Sequence, residues 1–218
     1  MMSHKMDPMQ RMSGDWLMPR YIARIRTRGK RDCMINLRPA TPEDAPLMVD
    51  LVDLAGDGLP MAAWAAHLAE TGQGGDARAF GIAHARRDRG GFTWRHAVIA
   101  EWDGVAAGML MCWPLALEPR SLDGLPPVVV PIQRLENRAR GRLLVNAVAV
   151  DPAFRRKGIG WMLLQTVTDR AALIVGDSNH AARTLYDRLG FVEIAREAAV
   201  GDAAWQPPHA EWCLMVRG

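Results

Sequence analysis

Residues 143–160, LLVNAVAVDPAFRRKGIG, constrain the possible folds of this chain more than any other stretch. An apolar strand pattern turns at Asp151-Pro152, and a basic loop with two glycines then leads into an apolar helix pattern. The N–H groups in the first turn of a helix lack intrahelical partners and lie at the positive end of the helix dipole. The stretch therefore predicts an anion-binding cradle between a strand and a helix.

Two familiar phosphate-binding loops are excluded for residues 155–160, RRKGIG. The third glycine of the dinucleotide-binding fingerprint is missing, and no acidic residue follows at the expected distance. No Gly-Lys-Ser/Thr follows either, so the segment is not a P-loop. Taken alone, the loop is equally well explained as a solvated basic turn.

A second segment, residues 179–191 with the sequence NHAARTLYDRLGF, follows the short apolar run 173–175. The two segments together resemble the GNAT superfamily of acyl-CoA N-acyltransferases, with its R/Q-x-x-G-x-G/A loop and its N-x-x-A-x-x-L-Y-x-x-x-G-F helix. The resemblance covers roughly residues 35–216. It implies an α/β (α+β) fold with a mixed, mostly antiparallel central sheet of six to seven strands, splayed between two parallel central strands and flanked by helices.

The resemblance implies an acetyl-CoA-dependent N-acetyltransferase that moves an acetyl group directly to a primary amine of an unknown small molecule or peptide. No metal and no covalent enzyme intermediate are expected. An amide near Val148 would polarise the acyl carbonyl, and the pyrophosphate would lie on the basic loop. The implied cofactor-binding residues are Val148, Ala149, Val150, Arg155, Arg156, Lys157, Gly158, Ile159, Gly160, Trp161 and Asn179.

The resemblance and the surrounding sequence give Tyr186, Asn146 and Glu101 as candidate catalytic residues. Tyr186 matches the family's general-acid tyrosine, although a packed helix tyrosine is the simpler alternative, just as Asn179 also suits a helix N-cap. Many relatives carry a carboxylate where Asn146 stands, and an amide cannot take a proton at neutral pH. Glu101, Glu136, or a water held by Asn146 are the alternatives, or the amine arrives neutral. Without a base, the same fold would serve as a non-catalytic acyl-CoA sensor or interaction module.

The charge of the chain is unevenly distributed. Residues 1–33 hold eight Lys/Arg and three Asp, and because the whole chain has a net charge of +3, residues 34–218 are net negative. We expect 1–33 to be a basic, disordered extension and 34–218 to be one acetyltransferase domain. Nucleic acid is not an expected partner, apart from a weaker alternative in which the basic tail binds it. Three scattered cysteines and the lack of a long apolar segment predict a cytoplasmic protein that does not enter a membrane.

Three other features shape the expected fold. Asp103-Gly104 between two apolar runs predicts a β-hairpin. Residues 114–141 form a long proline-containing insertion with one or two helical turns at 132–137, suited to covering the acceptor pocket or to a homodimer contact. Finally, apolar residues at helical spacing extend from Ile159 to Ala171, which leaves little room before the strand at 173–175. Either the helix ends early, near Thr168, or the strand is short.

Overall fold

A computed structural model of the protein describes residues 21–26, 32–167 and 170–218. The strands are β1 (Tyr21–Arg26), β2 (Asp32–Pro39), β3 (Ala97–Trp102), β4 (Val105–Pro114), β5 (Leu143–Val150), β6 (Ala171–Gly176), β7 (Val192–Ala198) and β8 (Glu211–Arg217). The α-helices are α1 (Ala45–Ala55), α2 (Leu59–Glu70), α3 (Ala77–Ala85), α4 (Val130–Arg138), α5 (Ile159–Gln165) and α6 (His180–Arg188).

The strands form one sheet in the order β1-β2-β3-β4-β5-β6-β8-β7. Every neighbouring pair is antiparallel except β5 and β6. Strands β2–β8 confirm the predicted mixed, mostly antiparallel sheet, and β1 adds an eighth strand at the edge beside β2. The hairpin predicted at Asp103-Gly104 joins β3 to β4, and Asp103 adopts the positive φ of 49° that such a turn requires.

The helices cover both faces of the sheet. Helices α5 and α6 pack on one face, where Leu163 and Tyr186 join a buried cluster with Leu173 of β6. Helices α1, α3 and α4 cover the other face, where Ala172 of β6 packs with Leu135 of α4. We call these the α5–α6 face and the α1–α4 face. Alternate residues of β6 therefore point to opposite faces, as expected for a central strand.

The connection between β5 and β6 agrees with the alternative in which the helix ends early, although the helical spacing continues further along the chain. The helical spacing predicts that Ala171 continues the apolar stripe of α5. Instead α5 ends at Gln165, and Ala171 is the first, fully buried residue of β6. The early end of the helix provides the residues that return the chain to the sheet, and Thr168 and Asp169 lie outside the described residues. The crossover is short but long enough for a parallel pair.

Two segments with predictions of their own are the insertion at 114–141 and the N-terminal segment 1–33. The long insertion contains α4, which is longer than the one or two turns predicted and packs against β7 and β8. Strand β1 lies inside the segment 1–33 expected to be disordered, whereas 1–20 and 27–31 fall outside the described residues. The domain boundary at residue 34 stays a prediction. Among the helices of the described ranges, none is long and apolar enough to cross a membrane.

Candidate active site

A cleft opens in the middle of the sheet, between β5 and β6. The two strands pair in parallel only from Leu143 with Ala171 to Val145 with Leu173. Beyond that point β5 continues to Val150 along β4, while β6 continues along β8. One backbone edge of residues 146–150 therefore faces an opening instead of a strand. This splay between the two parallel strands agrees with the predicted fold.

A β-bulge at Asn146 marks the mouth of this cleft. Met111 of β4 pairs with Ala147 and Cys112 pairs with Val145, so Asn146 has no partner on β4. The extra residue reverses the alternation of the strand. Before the bulge, Val145 packs on the α5–α6 face, whereas after it the even-numbered Val148 packs there. Asn146 itself is exposed, so its side-chain amide is accessible to a ligand or a water.

The loop after β5 presents a series of backbone donors. Gly158 is the N-cap of α5 and has φ 85°, a left-handed conformation that favours glycine. The first bond of the helix runs from the Met162 N–H to the Gly158 carbonyl at 3.0 Å. Across the described residues, no acceptor receives a hydrogen bond from the N–H groups of residues 156–161. These six amides lie where the sequence predicts an anion-binding cradle, and an array of such donors would suit a phosphate group.

The cations of the loop are held beside these amides. The Arg155 Nε donates to the Val150 carbonyl at 3.3 Å, and the Lys157 Nζ donates to the Ala153 carbonyl at 3.2 Å. The Lys157 ammonium also lies 5.0 Å from the ring centroid of Trp102, within the range of a cation–π contact. Arg156 is exposed. Trp161, the last residue with a free amide, is 41% exposed and can cover a ligand bound on the loop.

Tyr186 is close to the cradle but buried. An ideal Cβ on Gly160 would lie 3.5 Å from Leu185 and 3.8 Å from Val150, so the start of α5 contacts both the helix of Tyr186 and the end of β5. The Tyr186 ring packs 6.0 Å from Phe191 within the buried cluster of the α5–α6 face. Burial raises the pKa of Tyr186 to about 12, so the phenol keeps its proton at neutral pH and is available as a proton donor.

Asn179 is the N-cap of α6. Its side-chain oxygen accepts a hydrogen bond from the Ala182 N–H at 3.1 Å, which confirms the capping alternative. The side-chain NH₂ group makes no hydrogen bond to any described residue and points out from an exposed position. The capping bond therefore orients the side chain while leaving donors free for a cofactor.

Glu101 is not beside Asn146, because β4 separates its strand from β5. Its carboxylate accepts hydrogen bonds from the Arg38 Nε at 2.6 Å and the Asn36 Nδ2 at 2.7 Å. Partial burial by itself would raise the pKa of Glu101, but these two donors hold it below the usual range. The geometry therefore favours a structural ion pair for Glu101 over a base. Glu136, the other carboxylate considered, lies in α4 against β7 and β8.

The sequence analysis does not identify one further histidine, His209. It lies in the loop between β7 and β8 and contacts the end of β6. His209 is buried, with Trp212 at a ring distance of 4.0 Å and Trp205 at 6.4 Å. Its Nδ1 lies 3.7 Å from the Asp57 carboxylate, which comes from the turn between α1 and α2. No sequence pattern signals the histidine, because its partner is far away along the chain.

Comparisons with known proteins agree with this geometry. Residues 64–191, more than half of the chain, match a model of the acetyltransferase (GNAT) family. Solved structures of acetyltransferases share the fold. The chain belongs to the GNAT family of acetyltransferases, which confirms the predicted N-acetyltransferase class.

Three solved structures illustrate the shared fold. An N-acetyltransferase from Staphylococcus aureus Mu50 has 16% identity and a TM-score of 0.55 over 82% of this chain and 98% of the other. A polyamine N-acetyltransferase from Drosophila melanogaster has 18% identity and a TM-score of 0.54 over 83% and 98%. An agmatine N-acetyltransferase has 19% identity and a TM-score of 0.54 over 83% and 97%. A comparison with curated protein sequences finds no significant match.

Proposed function

We propose that this protein transfers the acetyl group of acetyl-CoA directly to a primary amine of a small molecule or peptide. One observation carries the proposal: the open backbone edge of residues 146–150 leads straight into the six unpartnered amides of residues 156–161. The first feature suits an extended arm with amide groups, and the second suits a pyrophosphate at the end of that arm. Acetyl-CoA combines both chemistries in one molecule.

The residues present fit this cofactor along its length. The pyrophosphate would lie on the amides of residues 156–161, with the cations of Arg155 and Lys157 beside it. The pantetheine arm would pair with the free edge of residues 146–150, and the free NH₂ group of Asn179 would donate to it. The thioester supplies the activated acetyl group. An amide near Val148 would donate to its carbonyl oxygen, where negative charge develops during attack.

The acceptor nitrogen must lose two protons during the reaction, and each needs a destination. An ammonium acceptor loses one proton before attack, and the amine nitrogen loses a second as the amide forms. The departing thiolate takes one proton, and the other is released to solvent. We assign the donation to the thiolate to Tyr186, because burial keeps its phenol protonated. The phenolate then recovers a proton from the nitrogen of the tetrahedral intermediate.

The acceptor is proposed only as a class. Agmatine and polyamine N-acetyltransferases share the fold at TM-scores of 0.54. Agmatine and polyamines all carry primary amines. This likeness supports an amine acceptor without selecting one. We also propose a cytoplasmic location, where acetyl-CoA and reduced cysteines are found together. The homodimer and the basic tail's possible contact with nucleic acid stay predictions.

Titration calorimetry with acetyl-CoA tests the cofactor site directly. Gly158→Asn and Gly158→Asp form a matched pair, since both residue types tolerate a left-handed backbone and differ mainly by one negative charge. We expect binding in the micromolar range for the wild type and the Asn variant, and a loss of about tenfold or more for the Asp variant. Equal affinities for the Asn and Asp variants would show that the cradle does not hold the phosphates.

A screen of primary amines by thiol release then tests transfer. We expect Tyr186→Phe to bind acetyl-CoA like the wild type and to lower kcat by about 100-fold, because the thiolate loses its proton donor. Acetyl-CoA binding without transfer to any amine would favour the sensor alternative. Unchanged turnover in Tyr186→Phe would refute the role of the phenol while leaving the cofactor site intact.

A further inference from the structure

A buried histidine and an acidic side chain meet where the α1–α2 turn touches the loop between β7 and β8. The His209 side chain is 1% exposed, whereas the Asp57 side chain is 40% exposed. Their Nδ1 and Oδ2 atoms are 3.7 Å apart, beyond a hydrogen bond but within ion-pair range. The same turn anchors the loop, because the Trp205 Nε1 donates to the Asp57 carbonyl at 2.8 Å. The pair is therefore held from two separate parts of the chain.

The His209 ring contacts the end of β6, the strand that forms one side of the cleft. An ideal Cβ on Gly176 would lie 2.7 Å from both Cγ and Nδ1 of His209, so the ring rests on the last residue of β6. Gly176 lies three residues beyond Leu173, the last residue paired with β5. Continued at the same register, it would be level with Val148, the position proposed for the acyl carbonyl.

His209 and Tyr186 lie on opposite faces of the sheet. Gly176 has the same parity as Ala172 and Ile174 of β6, which pack on the α1–α4 face. Tyr186 belongs to the cluster on the α5–α6 face. A thioester in the cleft would thus have a proton donor on one side and an imidazole on the other. This is the arrangement that an amine attacking from one face and a thiolate leaving towards the other requires.

The imidazole has an unused nitrogen. His209 Nε2 is buried and makes no hydrogen bond to any described residue, and the same holds for the neighbouring Trp212 Nε1. A buried polar atom without a partner is costly unless it serves a ligand or a reaction. Two such atoms on rings 4.0 Å apart form one local site. This site lies on the face of the sheet that the cradle does not occupy.

From these observations we propose that His209, with the Asp57 carboxylate beside its Nδ1, is the general base that takes the proton from the acceptor amine. The inference rests on the proposed transferase function and supplies the base that Asn146 cannot provide. His209 Nε2 accepts one proton from the ammonium, directly or through one water, and the neutral amine attacks the thioester carbon. The imidazolium afterwards returns this proton to solvent. The second amine proton follows the route through Tyr186.

The surroundings keep the imidazole neutral and ready to accept a proton. Burial lowers the pKa of His209, and the carboxylates of Asp57 and Asp177 oppose this only in part. Asp177 is engaged with the loop, since it accepts hydrogen bonds from the N–H groups of Ala210 and Glu211. Nε2 is buried in this structure, so the proposed transfer requires the acceptor amine, or one bridging water, to gain access to it.

The test is the pH dependence of kcat/KM for the best amine of the screen, from about pH 5 to 9. The wild type should lose activity at low pH with an apparent pKa below the ordinary histidine value of about 6.5. His209→Gln should be about 100-fold slower at neutral pH and recover as the amine itself loses its proton. Asp57→Asn should move the acid limb to lower pH, because the Asp57 charge raises the pKa of His209. His67→Gln, an exposed histidine in α2, is the matched control and should behave like the wild type.

Each outcome decides between the claims. A wild type that acetylates amines while His209→Gln matches it, or is slower by the same factor at every pH, would overturn the inference and leave the proposed function standing. A wild type that transfers to no amine would overturn the proposed function and this inference with it. Should His209→Gln fail to fold or to bind acetyl-CoA, the acid limb of Asp57→Asn decides: a shift supports the base, and an unmoved limb refutes it.

Discussion

Two glycines in the cradle, Gly158 and Gly160, should respond in opposite directions to the same substitution. Gly158 has φ 85°, where an added Cβ clashes with the backbone. Gly160 is inside α5, and an ideal Cβ there would meet Leu185 at 3.5 Å and Val150 at 3.8 Å, both ordinary contact distances. Alanine is therefore strained at the first position and fits the second.

The magnitudes follow from these geometries. A left-handed alanine costs about 1–2 kcal/mol, and the lower entropy of the unfolded chain offsets roughly 0.5 kcal/mol of that cost. Gly158→Ala should therefore destabilise the protein by about 1 kcal/mol. Gly160→Ala gains about 0.5–1 kcal/mol from helix propensity. For a chain of this length, 1 kcal/mol corresponds to a change in Tm of roughly 2–4 °C.

Thermal unfolding and acetyl-CoA titration of the two variants form the assay. We expect Gly158→Ala to have a lower Tm and weaker acetyl-CoA binding, because its strain is relieved by moving the first amides of α5. Gly160→Ala should have a higher Tm and an affinity within about twofold of the wild type, since its methyl group points towards the core. Changes in Tm of the same sign in both variants would refute the backbone assignment of the cradle.

Two further predictions concern buried titratable groups. Burial raises the pKa of Glu136, so its folded-state pKa exceeds that of the unfolded chain and stability falls as pH rises between the two values. Glu136→Gln should remove this loss, with urea titrations showing a stabilisation that grows above about pH 4 and then levels off; a constant difference at every pH would contradict it. Burial also raises the pKa of Cys112 to about 12, so in the folded protein at pH 8 this thiol should resist iodoacetamide. Alkylation of Cys112 as fast as in urea, measured by peptide mass spectrometry, would be the contrary result.

Much of the site could be predicted because its signals are local. The loop at 155–160 combines cations and glycines within one turn, and its amides are unpartnered wherever a helix begins after such a loop. The same holds for Asn179, whose cap depends only on the next three residues. The apolar alternation of β3 and β4 around Asp103-Gly104 is equally local.

The end of α5 shows where a periodic pattern misleads. The spacing of Ile159, Leu163 and Val167 continues to Ala171, but a buried residue in a strand is as apolar as one in a helix. The distance to the neighbouring strand decides which structure forms, because the chain must return to pair with β5. Periodicity alone contains no information on that distance.

The sequence by itself determined the fold class, and it located the candidate anion-binding loop and the candidate acid, since each depends on residues that are neighbours along the chain. Only the tertiary structure decided which side chains from distant parts of the chain come into contact. The sheet places Glu101 in an ion pair with Arg38, and the packing of the α1–α2 turn against the β7–β8 loop brings Asp57 to His209. The physical reason is that electrostatic and hydrogen-bond partners are selected by distance in space, which the order of residues does not specify.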